Sequence, residues 1–130
     1  MKKKIPKKTL RKRLKKKAWD LQSQYVRRKA NGVCYTCGSR KEWKAQDAGH
    51  YIHKDSLDYD LINIHCQCTG CNRFRHGNLG IYGEKLIAEY GEEVISEMRF
   101  RSNQVRKYSL LELEGYIDYY KQRLKEMEGL

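Results

Sequence analysis

Apolar residues recur at helical intervals near the start of the chain. Leu10, Leu14, Ala18, Leu21 and Tyr25 fall at steps of four, four, three and four, which sets them on one face of an α-helix. Trp19 and Val26 flank that face and Asn31-Gly32 supplies a C-terminal stop. The pattern predicts a helix over about 9–30, basic on its outer side, with residues 1–8 disordered around Pro6. From 33 to 52 the helical period disappears. Val33-Cys-Tyr-Thr-Cys37-Gly38 reads as a short strand closing on a tight turn, with Gly38 able to take a positive φ. Trp43, then Gln46 to Ile52, reads as a short hairpin. The polar run 53–60 reads as a loop and Leu61 to Ile64 as a brief extended piece. A short helix is predicted to begin at Cys71-Asn72 and to be stopped by Gly77-Asn78.

The remainder is helical. Leu79 to Tyr90 forms one segment ended by Gly91, and a second runs from Glu92 to about Phe100. Ser109 with Glu112 three residues on is a capping box, opening a last helix to about Met127. Its apolar residues Leu113, Ile117, Tyr120, Leu124 and Met127 are spaced for one face, as core packing or, over barely two heptads, as a dimer seam. No internal repeat is visible. The elements predict an α+β fold in three regions: a basic arm and helix over 1–30, a cysteine-bearing core over 31–80, and a helical region over 81–130.

Charge changes this picture. The 130 residues carry 28 Lys+Arg and 16 Asp+Glu, a formal net charge of +12. Residues 1–29 hold 14 of the basic residues and a single acid, Asp20; the rest is nearly balanced. Such a run repels itself and is stabilised by a polyanion through counterion release. It reads as a nucleic-acid arm in preference to a solubility tail or an address, with Lys12, Arg13, Lys15, Lys16, Arg27 and Arg28 as the contacts. An anionic membrane surface fits less well, because the apolar stripe is thin and lacks Phe. No stretch approaches the ~18 apolar residues of a membrane span, and no apolar segment follows the first basic run. Membrane insertion and export are therefore not expected, and the protein is expected to be cytoplasmic.

Five cysteines without an export signal point to reduced thiols and metal binding. Cys34-x-x-Cys37 and Cys68-x-x-Cys71 share one spacing and each lies beside a glycine, Gly38 and Gly70; Cys66 is left over. Four thiolates at ~2.3 Å make a closed tetrahedral Zn²⁺ site. Ion binding of that kind helps to fold a chain that is only 39% hydrophobic. An iron–sulfur cluster is the alternative; a redox dithiol lacks its βαβ setting. A closed zinc is scaffolding, so any chemistry lies elsewhere.

Between and just beyond these pairs stand Asp47, His50, His53, Asp55, Asp58, Asp60, Asn63, His65, Asn72 and His76. On the predicted helix Asn72 and His76 share a face at i, i+4. A histidine, an asparagine and polar helix residues brought together by one zinc are the equipment of one-metal phosphodiester hydrolysis: imidazole takes a proton from water and a divalent ion steadies the phosphate. Arg73 and Arg75 would contact phosphates. His53 and His65 read as surface or buttressing groups, and Asp55, Asp58 and Asp60 as a solvated loop.

The runs Asp47-Ala-Gly-His50-Tyr, Asn63-Ile-His-Cys-Gln-Cys68-x-x-Cys71-Asn72 and His76-Gly77-Asn78-Leu79 closely resemble the NinG/Rap family of lambdoid phage recombination proteins. They are also similar to the wider HNH (ββα-metal) nucleases, phage endonuclease VII among them. The likeness covers about residues 19–125. It implies a small zinc-stabilised ββα-metal core, with zinc on Cys34, Cys37, Cys68 and Cys71. It further implies His50 as general base, Asn63 as the residue orienting the catalytic loop or the base, and Asn72, His76 and Asp47 as ligands of a catalytic Mg²⁺ or Mn²⁺. One position departs from the pattern. Most HNH enzymes carry a metal-binding Asp or His immediately before the base, where this chain has Gly49; Asp47 is the nearest carboxylate.

The implied activity is metal-dependent, structure-specific cleavage of branched DNA, such as Holliday junctions and D-loops, by a phage or prophage protein in a bacterial host. A homodimer is expected from the two-fold symmetry of a junction, with the C-terminal helices as its interface. The alternatives are a non-catalytic zinc-knuckle DNA-binding accessory protein, for which Gly49 would mark a degraded site, and a non-specific HNH nuclease.

Overall fold

A computed structural model describes residues 4–129. The first helix, α1, spans Lys7–Lys29. It starts directly after Pro6, whose carbonyl accepts the Leu10 amide, so Lys7 and Lys8 are helical instead of disordered; residues 1–3 of that expectation lie outside the described residues. At the other end Asn31 and Gly32 take φ of 52° and 70°, and the Gly32 amide returns to the Arg27 carbonyl. This is the left-handed termination that Asn-Gly favours.

Strand β1 is Asp47–His50 and strand β2 is Ile64–Gln67. They pair antiparallel, Asp47 opposite Gln67, Ala48 opposite Cys66, Gly49 opposite His65 and His50 opposite Ile64. This corrects the local hairpin expected over Gln46–Ile52: β1 has no near partner and pairs across the loop 51–63. The extended piece also starts later than expected, at Ile64. Asp60 holds residues 60–63 in a turn, its carboxylate accepting from the Ile62 amide and its carbonyl from the Asn63 amide. After β2 the chain makes one wide helical turn, Gly70–Phe74, in which the Arg75 amide reaches back to the Gly70 carbonyl. His76, Gly77 and Asn78 then all take positive φ, so the short helix expected up to Gly77 already ends at Phe74. Around the first cysteine pair, Val33 bridges Arg40 only locally.

Helices α2 (Leu79–Tyr90), α3 (Val94–Ser102) and α4 (Leu110–Glu128) complete the fold. Gly91, at φ 102°, ends α2. Ser109 and Glu112 cap α4 reciprocally: the Ser109 side chain accepts from the Glu112 amide at 3.0 Å, and the Ser109 amide donates to the Glu112 carboxylate at 3.2 Å.

By contacts the chain groups into two units, residues 26–106 and residues 1–25 with 107–130. In the first, Leu57, Tyr82, Leu86, Val94 and Met98 form a core onto which Tyr35, Tyr51, Ile52, Ile62 and Ile95 pack, so α2 and α3 belong with the cysteines and the sheet. In the second, Gln22 donates to the Tyr120 hydroxyl at 3.0 Å and the Tyr25 ring packs on Tyr120. The α4 stripe of Leu113, Ile117, Tyr120 and Leu124 is buried in the single chain. The molecule is thus helix-rich α+β with a minimal sheet. No described helix is long and apolar enough to cross a membrane.

Candidate active site and metal centre

The Sγ atoms of Cys34, Cys37, Cys68 and Cys71 all lie within 4.8 Å of one another, with Cys37 and Cys68 at 3.7 Å. Four sulfurs at ~2.3 Å from a tetrahedral ion stand about 3.8 Å apart, so the cluster fits one metal ion such as zinc. Its two halves are built alike from tight turns. Gly38, at φ 76°, lets the first pair fold back so that its amide reaches the Cys34 carbonyl. The Cys71 backbone amide points at the Cys68 sulfur at 3.3 Å, and the Asn78 side-chain Nδ2 at the Cys71 sulfur at 3.6 Å. Burial raises the Cys34 thiol, but hydrogen bonds from the Thr36 hydroxyl and nearby backbone outweigh it and bring it to about 6, whereas burial pushes Cys71 of the same cluster up to about 11. Cys66 stays outside the cluster, buried on β2 and pushed up to about 11 by that burial.

The cluster tethers the first cysteine turn to β2, where the Tyr35 amide also meets the Cys66 carbonyl. Successive side chains of a strand alternate between faces, so Asp47 and Gly49 share one face of β1 and His50 points to the other. On the first face, Asn72 from the helical turn donates to the Asp47 carboxylate at 3.0 Å, and Arg73 pairs with the same oxygen at 3.2 Å. Any larger residue at Gly49 would have to displace the side chains of Gln67 and Asn72. A Cβ there would stand 1.9 Å from Oε1 of Gln67 and 2.9 Å from Oδ1 of Asn72. Asp47 and Asn72, two of the three residues expected around a catalytic ion, are therefore in contact. His76 is not on a face with Asn72; it is exposed at φ 51° beyond the helical turn.

His50 ends β1, its ring Nε2 3.5 Å from the Asp58 carbonyl and its ring centroid 5.8 Å from that of His53. Burial is the main reason its pKa falls below the ordinary histidine value; the Asp58 carbonyl opposes the shift and His53 adds to it. The ring is thus neutral near pH 7. His53 is exposed and, with Lys54 and Arg106, lines an open cleft of about 380 Å³. The segment after His50 is clamped by Asn63, which is 0% exposed: Oδ1 accepts from the Ile52 amide at 2.8 Å and Nδ2 donates to the Ile52 carbonyl at 2.9 Å. Asn63 thereby holds the loop, and no contact of its side chain with the His50 ring is seen among these bonds.

Other expected residues have structural partners. His65 is braced inside: its ring stacks on Tyr35 at 3.8 Å and its Nδ1 lies 3.1 Å from the Tyr82 hydroxyl. That hydroxyl donates to the Gly49 carbonyl at 2.8 Å, leaving Nδ1 to donate to it; burial lowers the imidazole to about 4. Asp60 pairs with Arg101 at 2.9 Å. Arg27 and Arg28 stand over the ring of Trp43 at 5.2 and 5.5 Å, while Lys12, Arg13 and Lys16 are exposed, Lys15 half-buried, and Lys16 pairs with Asp20. Three residues escaped the sequence reading. Tyr82, Gln67 and Phe74 carry no charge; Phe74 is 80% exposed between the exposed Arg73 and Arg75.

Comparison with known proteins now bears on this arrangement. The family profile described as Bacteriophage Lambda NinG protein matches residues 1–129. The chain belongs to the NinG family. It is 34% identical over 101 residues to "Protein ninG" of Escherichia phage 933W and 33% identical over 101 residues to that of Escherichia phage lambda, in both cases 74% of this chain and 48% of the relative. The protein of Salmonella phage P22 is 31% identical over 99 residues, 72% of this chain and 47% of the relative. The chain spans about half the length of these relatives. No solved structure matches it. Within this NinG-family chain the region from Trp19 to the end of α3 carries the cysteine cluster, the Asp47–Asn72 contact and His50.

Proposed function

We propose that this NinG-family chain is a metal-dependent endonuclease of the HNH (ββα-metal) kind, acting on branched DNA intermediates of phage recombination. The observation that carries the reading is the contact between Asp47 and Asn72 on the glycine face of the strand that ends in His50. In the HNH pattern ligand and base are consecutive, so they diverge to opposite faces; Asp47, two residues before Gly49, keeps the ligand's face. Zinc bound by the four cysteines would tie the first cysteine turn to the helical turn that follows β2 and serve as scaffold.

When bound to Asp47 and Asn72, Mg²⁺ or Mn²⁺ supplies positive charge for the scissile phosphate and the leaving oxygen. The protein's own groups do the rest. Neutral His50 takes the proton of the attacking water. Asn63 fixes the loop behind it, and Tyr82, hydrogen-bonded to Gly49 and His65, keeps β1 from shifting. The exposed cations of α1 bind phosphates irrespective of sequence. Phe74, flanked by Arg73 and Arg75, is suited to stack on a base left unpaired at a branch. Resolution needs two opposed nicks, for which a two-fold homodimer is the matching assembly.

The ion pair of Arg73 with Asp47 favours a second reading, a zinc-stabilised DNA-binding accessory protein whose carboxylate is permanently neutralised. The deciding experiment is cleavage of a labelled four-way junction and of linear duplex, side by side, in Mg²⁺ or in EDTA. The nuclease reading requires Mg²⁺-dependent cuts with junction preferred, and Phe74→Ala narrowing that preference. Equal cutting of both substrates would indicate a non-specific nuclease, and binding without cuts an accessory protein.

A further inference from the structure

Gln67 is 0% exposed, yet its Oε1 has no hydrogen-bond partner. Its orientation is fixed, because Nε2 donates to the Gly77 carbonyl at 2.9 Å and to the Thr36 hydroxyl at 3.2 Å, and a carbonyl can only accept. Asn72 is fixed likewise: Nδ2 donates to Asp47, which leaves Oδ1 as the atom near Gly49. Two amide oxygens thus lie near one spot beside the Gly49 α-carbon, that of Gln67 buried without a donor, and Asp47, opposite Gln67 in the sheet, brings a carboxylate to the same face. An unpaired buried carbonyl costs roughly 1–3 kcal/mol, and such orphans mark an ion or water. A hard cation takes oxygen ligands, and two neighbouring amide oxygens with a carboxylate on the same face are of that kind. Among the described residues no second group of three His, Cys, Asp or Glu side chains comes together, so an ion on this face must be completed by amides.

We propose that Gln67 is a metal ligand: its Oε1, which itself occupies the space a side chain at position 49 would fill, binds a hard divalent cation on that face together with Asp47 and Oδ1 of Asn72. This rests on the reading of Asp47 and Asn72 as ligands and adds a third. Gly49 is then no sign of decay. The ligand has moved from the strand β1 to its neighbour β2, and the glycine makes room for it.

The test is Mn²⁺ binding to the zinc-loaded protein, followed by loss of the free-ion electron paramagnetic resonance signal. Wild type should bind one Mn²⁺, Gln67→Met at least about tenfold more weakly, and Gln67→Glu at least about tenfold more tightly. In case either variant does not fold, Mg²⁺ titrated into wild-type protein should move the side-chain carbonyl ¹³C resonances of Gln67 and Asn72 together. Unchanged Mn²⁺ affinity in folded Gln67 variants, or a Gln67 resonance that stays still while Asn72 and Asp47 move, overturns Gln67 as ligand and leaves the two-ligand reading standing. Absence of any Mn²⁺ binding by wild type overturns both.

Discussion

The side-chain amide of Asn72 donates to the carboxylate of Asp47 at 3.0 Å across 25 positions of sequence. The contact follows from the pairing of β1 with β2, which leads three residues on into the helical turn, and it brings two oxygen-bearing groups together next to a strand that ends in a neutral histidine. Asp47→Asn keeps the shape of this contact and removes its charge. Junction cleavage in Mg²⁺ should fall by ~100-fold or more, equivalent to ~3 kcal/mol of barrier, while junction affinity stays within about twofold. Single-turnover cleavage and a gel-shift titration measure the two.

Removal of one zinc ligand should act on the fold. Three thiols cannot close the tetrahedron, and the turn Gly70–Phe74 has few apolar contacts of its own to keep it beside the sheet. Cys68→Ser is expected to lose its zinc and its cooperative melting together, as chelation of wild-type protein should also do. Elemental analysis with a thermal scan checks this, and a folded, metal-free Cys68→Ser protein would remove the scaffold role.

Asn63 makes both of its strong side-chain bonds to the backbone of Ile52. Asn63→Ala leaves a buried amide and a buried carbonyl unpaired and should cost roughly 2–3 kcal/mol in denaturant unfolding. Because the clamp sits two residues after His50, junction cleavage should fall as well, with Mn²⁺ affinity unchanged.

Exposed Lys12, Arg13 and Lys16 on α1 should govern affinity without choosing among DNA shapes. Changing the three to Gln should weaken binding to linear and branched DNA alike and lower the slope of log affinity against log salt by about 2 to 3. Loss confined to junctions would mean that the arm reads shape.

What the sequence made legible was local. The periodicity of α1, the stop at Gly91 and the Ser109–Glu112 cap depend on neighbours within four residues, and the paired Cys-x-x-Cys spacing marked the metal cluster. The pairing of β1 with β2 spans a 13-residue loop that includes the Asp60 turn, so residues 46–52 looked like a local hairpin. The helix after Cys71 was overextended because three successive left-handed residues, His76 included, cannot be inferred from an i, i+4 pattern. The resemblance singled out Asp47, Asn72 and His50, of which Asp47 and Asn72 meet in the fold, and Gly49 stood out as a departure. That the Gln67 side chain lies against Gly49 could not be seen, since the meeting depends on the β1–β2 register and an uncharged residue at the end of a four-residue strand carries no local signal.

The account rests on a neutral His50 taking a proton from water, and the rate of junction cleavage against pH, for wild type and His50→Ala, tests it most directly. The base works unprotonated, and burial holds its pKa below 6.5. Wild-type rate should therefore rise with pH through a midpoint under 6.5 and be level from neutrality upward, while His50→Ala should lose ~10²–10⁴-fold and the midpoint with it. Wild-type rates in His50→Ala, or the same midpoint in its residual activity, would contradict the assignment of His50.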